Sequence, residues 1–395
     1  MKNPTIPVVH LRRGKDDNIL RFHPWIFSGA IAAIDGTPEE GELVRVVNHE
    51  GIFRALGHFQ SGSIMVRILS FVDQPIDRAF YRSRIVAAYE MRKALQLERE
   101  DNTTYRLIHG EGDGLPGLVV DKYGATAIVQ AHSIGMHFIR EMLAEIIVEA
   151  IPEIENVFYK STGTLPNRTG LQVEDGYLIG NDDLAVGLEN GLRFKVDWLK
   201  GQKTGFFIDQ RDNRMLLEHY AKGRKVLNMF CYTGGFSCYA MRGGAELVHS
   251  VDSSSKAISL VDKNMAMNFP EATNHASFAE DAFQFLDNMK ESYDLIILDP
   301  PAFAKHRSAI HNALQGYRRL NAKAFEKIPH GGILFTFSCS QAVSREQFRL
   351  AVFTAAAQSK RNVRILHQLT QPIDHPVNIY HPEGEYLKGL VLYVE

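Results

Sequence analysis

Cysteine is nearly missing: Cys231, Cys238 and Cys339 are the only three in 395 residues. Three thiols cannot form a framework of disulfides, and their spacing matches no zinc pattern. No metal site is expected, and a reducing compartment fits best. Charge of one sign is missing too. Lys plus Arg number 44 and Asp plus Glu 46, a formal net charge of -2. A nucleic-acid partner must therefore meet a local basic surface, because the global charge offers no attraction. No uninterrupted apolar stretch is long enough to span a bilayer, and the opening residues 1–10 lack the apolar core of a secretory signal. The expectation is a cytoplasmic protein with no membrane partner.

What is present is ample core material, 45% hydrophobic against 23% charged, in a chain long enough for two or three domains. One stretch, 225–241, organises the rest. It opens as an apolar run, turns at Gly234 and Gly235, and continues as a helix-like run. That is the first strand–loop–helix unit of a nucleotide-binding sheet. Val226 and Leu227 belong in a strand covered on both faces. The glycines permit a tight turn and close approach of backbone to a ligand. Asp252 follows the second strand, 246–251, where a carboxylate accepts hydrogen bonds from a ribose diol.

Residues 1–72 read as short strands at 43–47, 52–56 and 64–69, with turns at 48–51 and 60–62. The segment suggests a barrel-type adaptor. Basic and aromatic residues mix over 10–15 and 21–29, which suits phosphate contacts plus stacking, although Trp25 and Phe27 read locally as core. A helix over 77–95 puts Phe80, Ile85, Ala88 and Met91 on one face and Arg78, Arg82 and Arg92 towards solvent. Strands follow at 104–108, 118–123, 125–130, 177–179, 184–186 and 192–196, with a helix over 138–149. The glycine-dense loop 109–117 lacks the Lys-Ser/Thr ending of a phosphate-binding loop and reads as a structural turn.

The C-terminal half alternates strand and helix. Strands are expected at 226–229, 247–251, 272–276, 293–298 and 332–337, then at 363–366 and 390–394. Such alternation predicts a mostly parallel sheet with ligands at its carboxyl edge. That edge collects the Gly-rich turn, Asp252, Asp281, Asp299 and Cys339. Asp209 is expected to cap the helix running to about 220, and Asp281 the short helix after it.

Residues 201–340 strongly resemble a class I S-adenosylmethionine-dependent methyltransferase. The chain as a whole is similar to the bacterial 23S rRNA cytosine-C5 methyltransferase family with an N-terminal PUA domain. Segments 23–29, 203–214, 228–237, 299–303 and 337–340 carry the likeness. It implies an α/β fold: a PUA-like β-barrel at 1–72, a central mixed α/β domain at 73–190, and a Rossmann-like methyltransferase domain with a mostly parallel sheet at 191–395. It implies S-adenosylmethionine as cofactor and ribosomal RNA as partner, and it leaves room for a homodimer. For the cofactor it implies Asp252 and Ser253 at the ribose, and Asp281 and Ala282 at the adenine. Backbone around Asn228, Phe230, Tyr232, Thr233 and Gly234 would hold the methionine part. Phe207, Asp209 and Gln210 would close the site, with Asp299 at the shared edge. For the substrate it implies Pro300, Pro301 and Phe303 against an exposed base, and Lys305 and Arg307 on phosphate.

Cytosine C5 is a poor nucleophile, and a thiolate adding to C6 makes it electron-rich enough to take a methyl group. Cys339, at the end of the fifth strand, is the thiol placed for this. Cys231 and Cys238 read as structural. Many RNA cytosine-C5 enzymes carry a second cysteine after the fourth-strand proline. Here Asp299-Pro-Pro-Ala-Phe303 has none, a loss the nearest family shares. Asp299 then positions the target ring or serves as base. In the tail, Tyr380, Glu385 and Lys388 either join the substrate edge or belong to a plain connector. Two alternatives stay open: an RNA guanine N-methyltransferase on the same scaffold, and a non-catalytic RNA-binding protein. A dinucleotide oxidoreductase would want G-x-G-x-x-G, which 228–235 lacks.

Overall fold

The computed structural model describes residues 6–166, 170–181, 186–304 and 306–395. The chain forms two compact units. One comprises 1–188, 196–206 and 373–384, the other 189–195, 207–372 and 385–395. Among the described residues no helix is long and apolar enough to cross a membrane.

The first unit carries two sheets. One has six strands in the order Trp25–Phe27, Ile64–Ser70, Phe53–Phe59, Leu43–Val47, Val8–Leu11, Ile31–Asp35. Val9, Ile26, Val44, Val46 and Val66 point into its core. Side chains alternate across a strand, so burying Ile26 turns its two neighbours outward. Phe27 is 40% exposed and Trp25 only half-buried, its Nε1 donating to Glu111 Oε1 at 2.7 Å. The expectation that both rings are core is thus corrected. The strands at 8–11, 25–27 and 31–35 were not expected; each is short and bounded by Pro or Gly, which hides its period.

The other sheet runs Gly176–Ile179, Asn156–Tyr159, Thr126–Ala131, Leu118–Tyr123, Thr104–His109. The helix Arg78–Ala94 begins where Asp77 accepts from the Phe80 amide at 3.0 Å, and it buries Phe80, Ile85 and Ala88 in this sheet's core. Arg92 does not reach solvent as expected. It lies two turns after Ile85, on the same face, fully buried, donating to Asp113 Oδ2 at 2.8 Å and to the Arg106 carbonyl at 2.9 Å. The glycine-dense loop supplies Asp113 as that counter-charge. The strand Asn156–Tyr159 escaped the sequence reading, and of the one expected at 184–186 the first two residues lie outside the described residues.

The second unit is built on one seven-stranded sheet. Its order is His275–Ala279, Leu247–Asp252, Lys225–Met229, Leu295–Leu298, Gly332–Ser338, Lys388–Val394, Val363–Leu369. The first five are parallel, and Lys388–Val394 runs antiparallel to both neighbours. The strand expected at 272–276 begins three residues later. It is an edge strand whose residues are all at least partly exposed, so its apolar signal is weak. The interior strands Leu295–Leu298 and Gly332–Ser338 are buried at every position, as helices on both faces require.

Candidate functional site

Five parallel strands end on one edge, at Met229, Asp252, Ala279, Leu298 and Ser338. Strand order reverses beside Lys225–Met229, which has Leu247–Asp252 on one side and Leu295–Leu298 on the other. Ligands of open α/β sheets bind in the crevice at such a switch point. Every sequence-predicted site residue from Asn228 to Cys339 within the described residues follows or ends one of these strands, apart from Asn228, the penultimate residue of Lys225–Met229, and Arg307 at the start of a short helical turn.

The Gly-rich turn is held from several directions. The Cys231 amide donates to the Val251 carbonyl at 3.1 Å, the Gly234 amide to the Cys231 carbonyl at 2.8 Å, and Asn264 Nδ2 to the Thr233 carbonyl at 2.8 Å. Phe230, Tyr232 and Gly234 have φ of 58°, 46° and 79°. Left-handed backbone at two aromatic residues is uncommon and stores strain of a kind found at ligand sites. A Cβ on Gly234 would stand 3.1 Å from Val261 Cγ1. Asn228 Nδ2 donates to Ser237 Oγ at 2.8 Å, while among the described residues its Oδ1 is buried without a hydrogen-bond partner. Asp252 is fixed by two amides, Tyr232 N at 3.0 Å on Oδ2 and Ser254 N at 2.9 Å on Oδ1. Beside it Ser253 is exposed. Asp281 Oδ1 accepts from the Phe283 and Gln284 amides at 2.9 and 3.1 Å, capping the helix Ala282–Asp287, whose Ala282 is buried. An orphaned acceptor, a left-handed glycine crowded by Val261 and two oriented carboxylates suit a nucleoside carrying a charged tail.

The segment before the helix Arg211–Ala221 supports this turn. The Phe207 ring meets Tyr232 edge-on, centroids 4.9 Å apart. Asp209 does not cap the helix as expected. It sits in the turn Ile208–Gln210, buried, and accepts from Tyr386 OH at 2.7 Å; the cap position belongs to Gln210. Gln210 Nε2 donates to Asp299 Oδ2 at 3.0 Å. Arg214 anchors the segment, donating to the Phe207 carbonyl at 2.9 Å and bidentately to buried Glu189 at 2.9 and 2.7 Å.

On the far side, Cys339 is half-buried and donates through Sγ to the Pro300 carbonyl at 3.9 Å. Pro300 is buried and Pro301 exposed. Phe303 lies against Tyr317, centroids 4.7 Å apart, and the Ala304 amide reaches Ser340 Oγ at 3.2 Å. Lys305 lies outside the described residues; Arg307 is exposed. Burial pushes the Cys238 thiol up to about 12 and that of Cys231 well above its ordinary value, keeping both inert at neutral pH. Of the tail candidates, Tyr380 belongs to the first unit, Glu385 pairs with Arg345 at 3.3 Å, and Lys388 is buried. Sequence reasoning missed Tyr386, Tyr317 and Glu189, which no local motif marks.

Comparison with known proteins follows the same lines. The family described as S-adenosylmethionine-dependent methyltransferase matches residues 178–381, and a PUA-like domain family matches 9–71. A Tolumonas auensis protein named ribosomal RNA large subunit methyltransferase I is 38% identical over 392 residues, 97% of this chain and 98% of that one. Its namesake from Aeromonas hydrophila is 36% identical over 392 residues, with the same coverage. A solved structure from Streptococcus mutans, assigned as a SAM-dependent methyltransferase, is 21% identical with TM-score 0.84, covering 98% of this chain and 99% of that chain. That likeness shows the fold.

Proposed function

The chain belongs to the S-adenosylmethionine-dependent methyltransferase family, and from that premise we propose that it methylates C5 of a cytosine in 23S ribosomal RNA through a covalent Cys339–C6 adduct. Its fold is accordingly a PUA-like N-terminal domain and a C-terminal Rossmann-like methyltransferase domain, and its cofactor is S-adenosylmethionine. The relatives' names support ribosomal RNA as substrate. The observation that carries the covalent reading is Cys339: a partly accessible thiol beside the Asp299-Pro300-Pro301 turn, while the other two thiols are buried. We read 1–72 and 73–190 as the RNA-holding parts and 191–395 as the catalytic part.

S-adenosylmethionine supplies an electrophilic methyl group. Asp252 and Ser253 hold the ribose, Asp281 and Ala282 the adenine, and backbone from Asn228 through Phe230, Tyr232 and Thr233 to Gly234 the methionine part. Phe207, Asp209 and Gln210 close this side. Pro300, Pro301 and Phe303 border the target base, and Lys305 and Arg307 meet phosphate. The Cys339 thiolate attacks C6; the S–C6 bond forms as the C5=C6 π pair becomes available at C5, which would take the methyl group as the donor's sulfonium S–CH3 bond breaks and the neutral thioether leaves. A base then removes the C5 proton, C5=C6 re-forms and the thiolate departs. Asp299, held by Gln210, orients the ring or takes that proton.

Mass mapping of methylated nucleotides in ribosomal RNA treated with wild type and with C339A tests the proposal. Wild type is expected to yield 5-methylcytosine and to crosslink to RNA bearing 5-fluorocytosine, and C339A to do neither. Methylation surviving in C339A would sink the adduct and favour a guanine N-methyltransferase instead.

A further inference from the structure

Lys388 is a buried ammonium, 6% exposed, with no carboxylate within ion-pair distance among the described residues. It opens the strand Lys388–Val394 and pairs across from Ser338, the residue before Cys339. Its Nζ donates to the carbonyls of Ser340 at 2.7 Å and Val343 at 2.8 Å, so it ties down the turn that follows Cys339. Two of its three N–H groups are thereby used. Among the described residues, the charged groups acting on it are the Cys339 thiol, Arg345 and Glu385. Arg345 and Glu385 pair with each other at 3.3 Å. That leaves Cys339 as the group able to supply the missing negative charge. Across the thiol, Tyr317 OH is engaged by Ser338 and Ser340 and does not compete for the ammonium. A buried charge without a counter-ion is costly to keep, and such groups cluster at functional sites.

We propose that Lys388 is a positioning residue for the nucleophile: its ammonium holds Cys339 as a thiolate at neutral pH. This rests on the reading of Cys339 as nucleophile. Lys388 already carries its proton, so the thiol proton leaves to solvent before substrate arrives, giving a thiolate beside the ammonium. When the S–C6 bond forms, the sulfur charge moves into the pyrimidine and Lys388 keeps its proton. When the adduct collapses, the departing thiolate returns to the same cation. Lys388 therefore assists both attack and departure. Burial holds the ammonium down to about 8, with the Cys339 charge acting upwards, so the lysine is still mainly protonated near pH 7.

Iodoacetamide alkylation of the full chain, followed by peptide mass spectrometry at Cys339 across pH 5 to 10, tests this without RNA. Wild type is expected to show an inflection below the ordinary thiol value of about 8.5. K388Q, which keeps donors for the two carbonyls but no charge, is expected to shift it up by about one unit and slow alkylation at pH 7 about tenfold. K388R is expected to stay near wild type. Equal inflections in wild type and K388Q would overturn the proposal. Should K388Q fail to fold, a wild-type inflection at or above 8.5 overturns it alone. C339A separates the two readings. Methylation lost in C339A with an unshifted inflection removes only the lysine's role. Methylation retained with a lowered wild-type inflection removes only the covalent mechanism.

Discussion

Gln210 Nε2 donates to Asp299 Oδ2 at 3.0 Å, and Asn213 Nδ2 donates to Gln210 Oε1 at 2.6 Å. The second bond fixes which way the Gln210 amide points, because only its nitrogen can donate to the carboxylate. A side chain ahead of one helix thus aims the acid that follows the fourth parallel strand. Q210L keeps volume and removes the bond. A hydrogen bond to a charged group is worth about 1.5–3 kcal/mol, so kcat for RNA methylation is expected to fall roughly 10- to 150-fold. Because Gln210 also closes the cofactor side, calorimetric titration should show S-adenosylmethionine affinity falling as well. An unchanged kcat would remove Asp299 orientation from the mechanism.

Gly234 offers a second test. With φ of 79° and Val261 3.1 Å from where a Cβ would sit, G234V meets both a left-handed backbone and a clash. The backbone alone costs roughly 1–2 kcal/mol. The dissociation constant for S-adenosylmethionine is expected to rise at least about tenfold, with circular dichroism still showing a folded chain. Wild-type affinity would mean that the cofactor does not approach this turn.

Acid should destabilise the protein through its buried histidines. His58, 7% exposed and within 3.1 Å of Tyr81 OH, is held down to about 4 from 6.5 by burial and then by Arg67. The unfolded chain protonates first, at about 6.5. The stabilisation is therefore fully present above that pH and drains away as pH falls towards 4. His58 contributes up to about 3 kcal/mol. Melting temperature should drop steeply from pH 6.5 to 4.5, and H58Q should flatten that limb.

Glu189 is fully buried, paired with Arg214, and accepts from Tyr239 OH at 3.0 Å. E189Q leaves the guanidinium without its counter-charge, which costs about 3–5 kcal/mol in such settings. Urea unfolding of the second unit should shift by that amount. Because Arg214 also holds the Phe207 carbonyl, cofactor affinity should fall alongside. Loss of stability with intact affinity would detach Phe207 from the site.

Legibility followed burial. The strands Leu295–Leu298 and Gly332–Ser338 were readable because they are largely apolar runs that stop at Asp299 and Ser338, and those end residues marked the carboxyl edge. The half-exposed strand His275–Ala279 was misplaced by three residues, since an edge position needs no apolar run. Asp209 looked like a helix cap because an acid before a helix usually is one. Its real partner, Tyr386, lies 177 residues away, and no local pattern encodes such a pairing. Arg92 looked exposed because an arginine on a helix usually is. Its position two turns from Ile85 held the contrary information.

The strand Lys388–Val394 lies between Gly332–Ser338 and Val363–Leu369, and among the described residues the latter pairs with no other strand of the sheet. Vectorial synthesis therefore delivers Val363–Leu369 before the strip it must dock onto exists. A nascent chain halted between residues 370 and 387 would carry two unzipped main-chain borders, each open to a second polypeptide. Premature stops in that window should surface as insoluble aggregates rather than as sluggish enzyme.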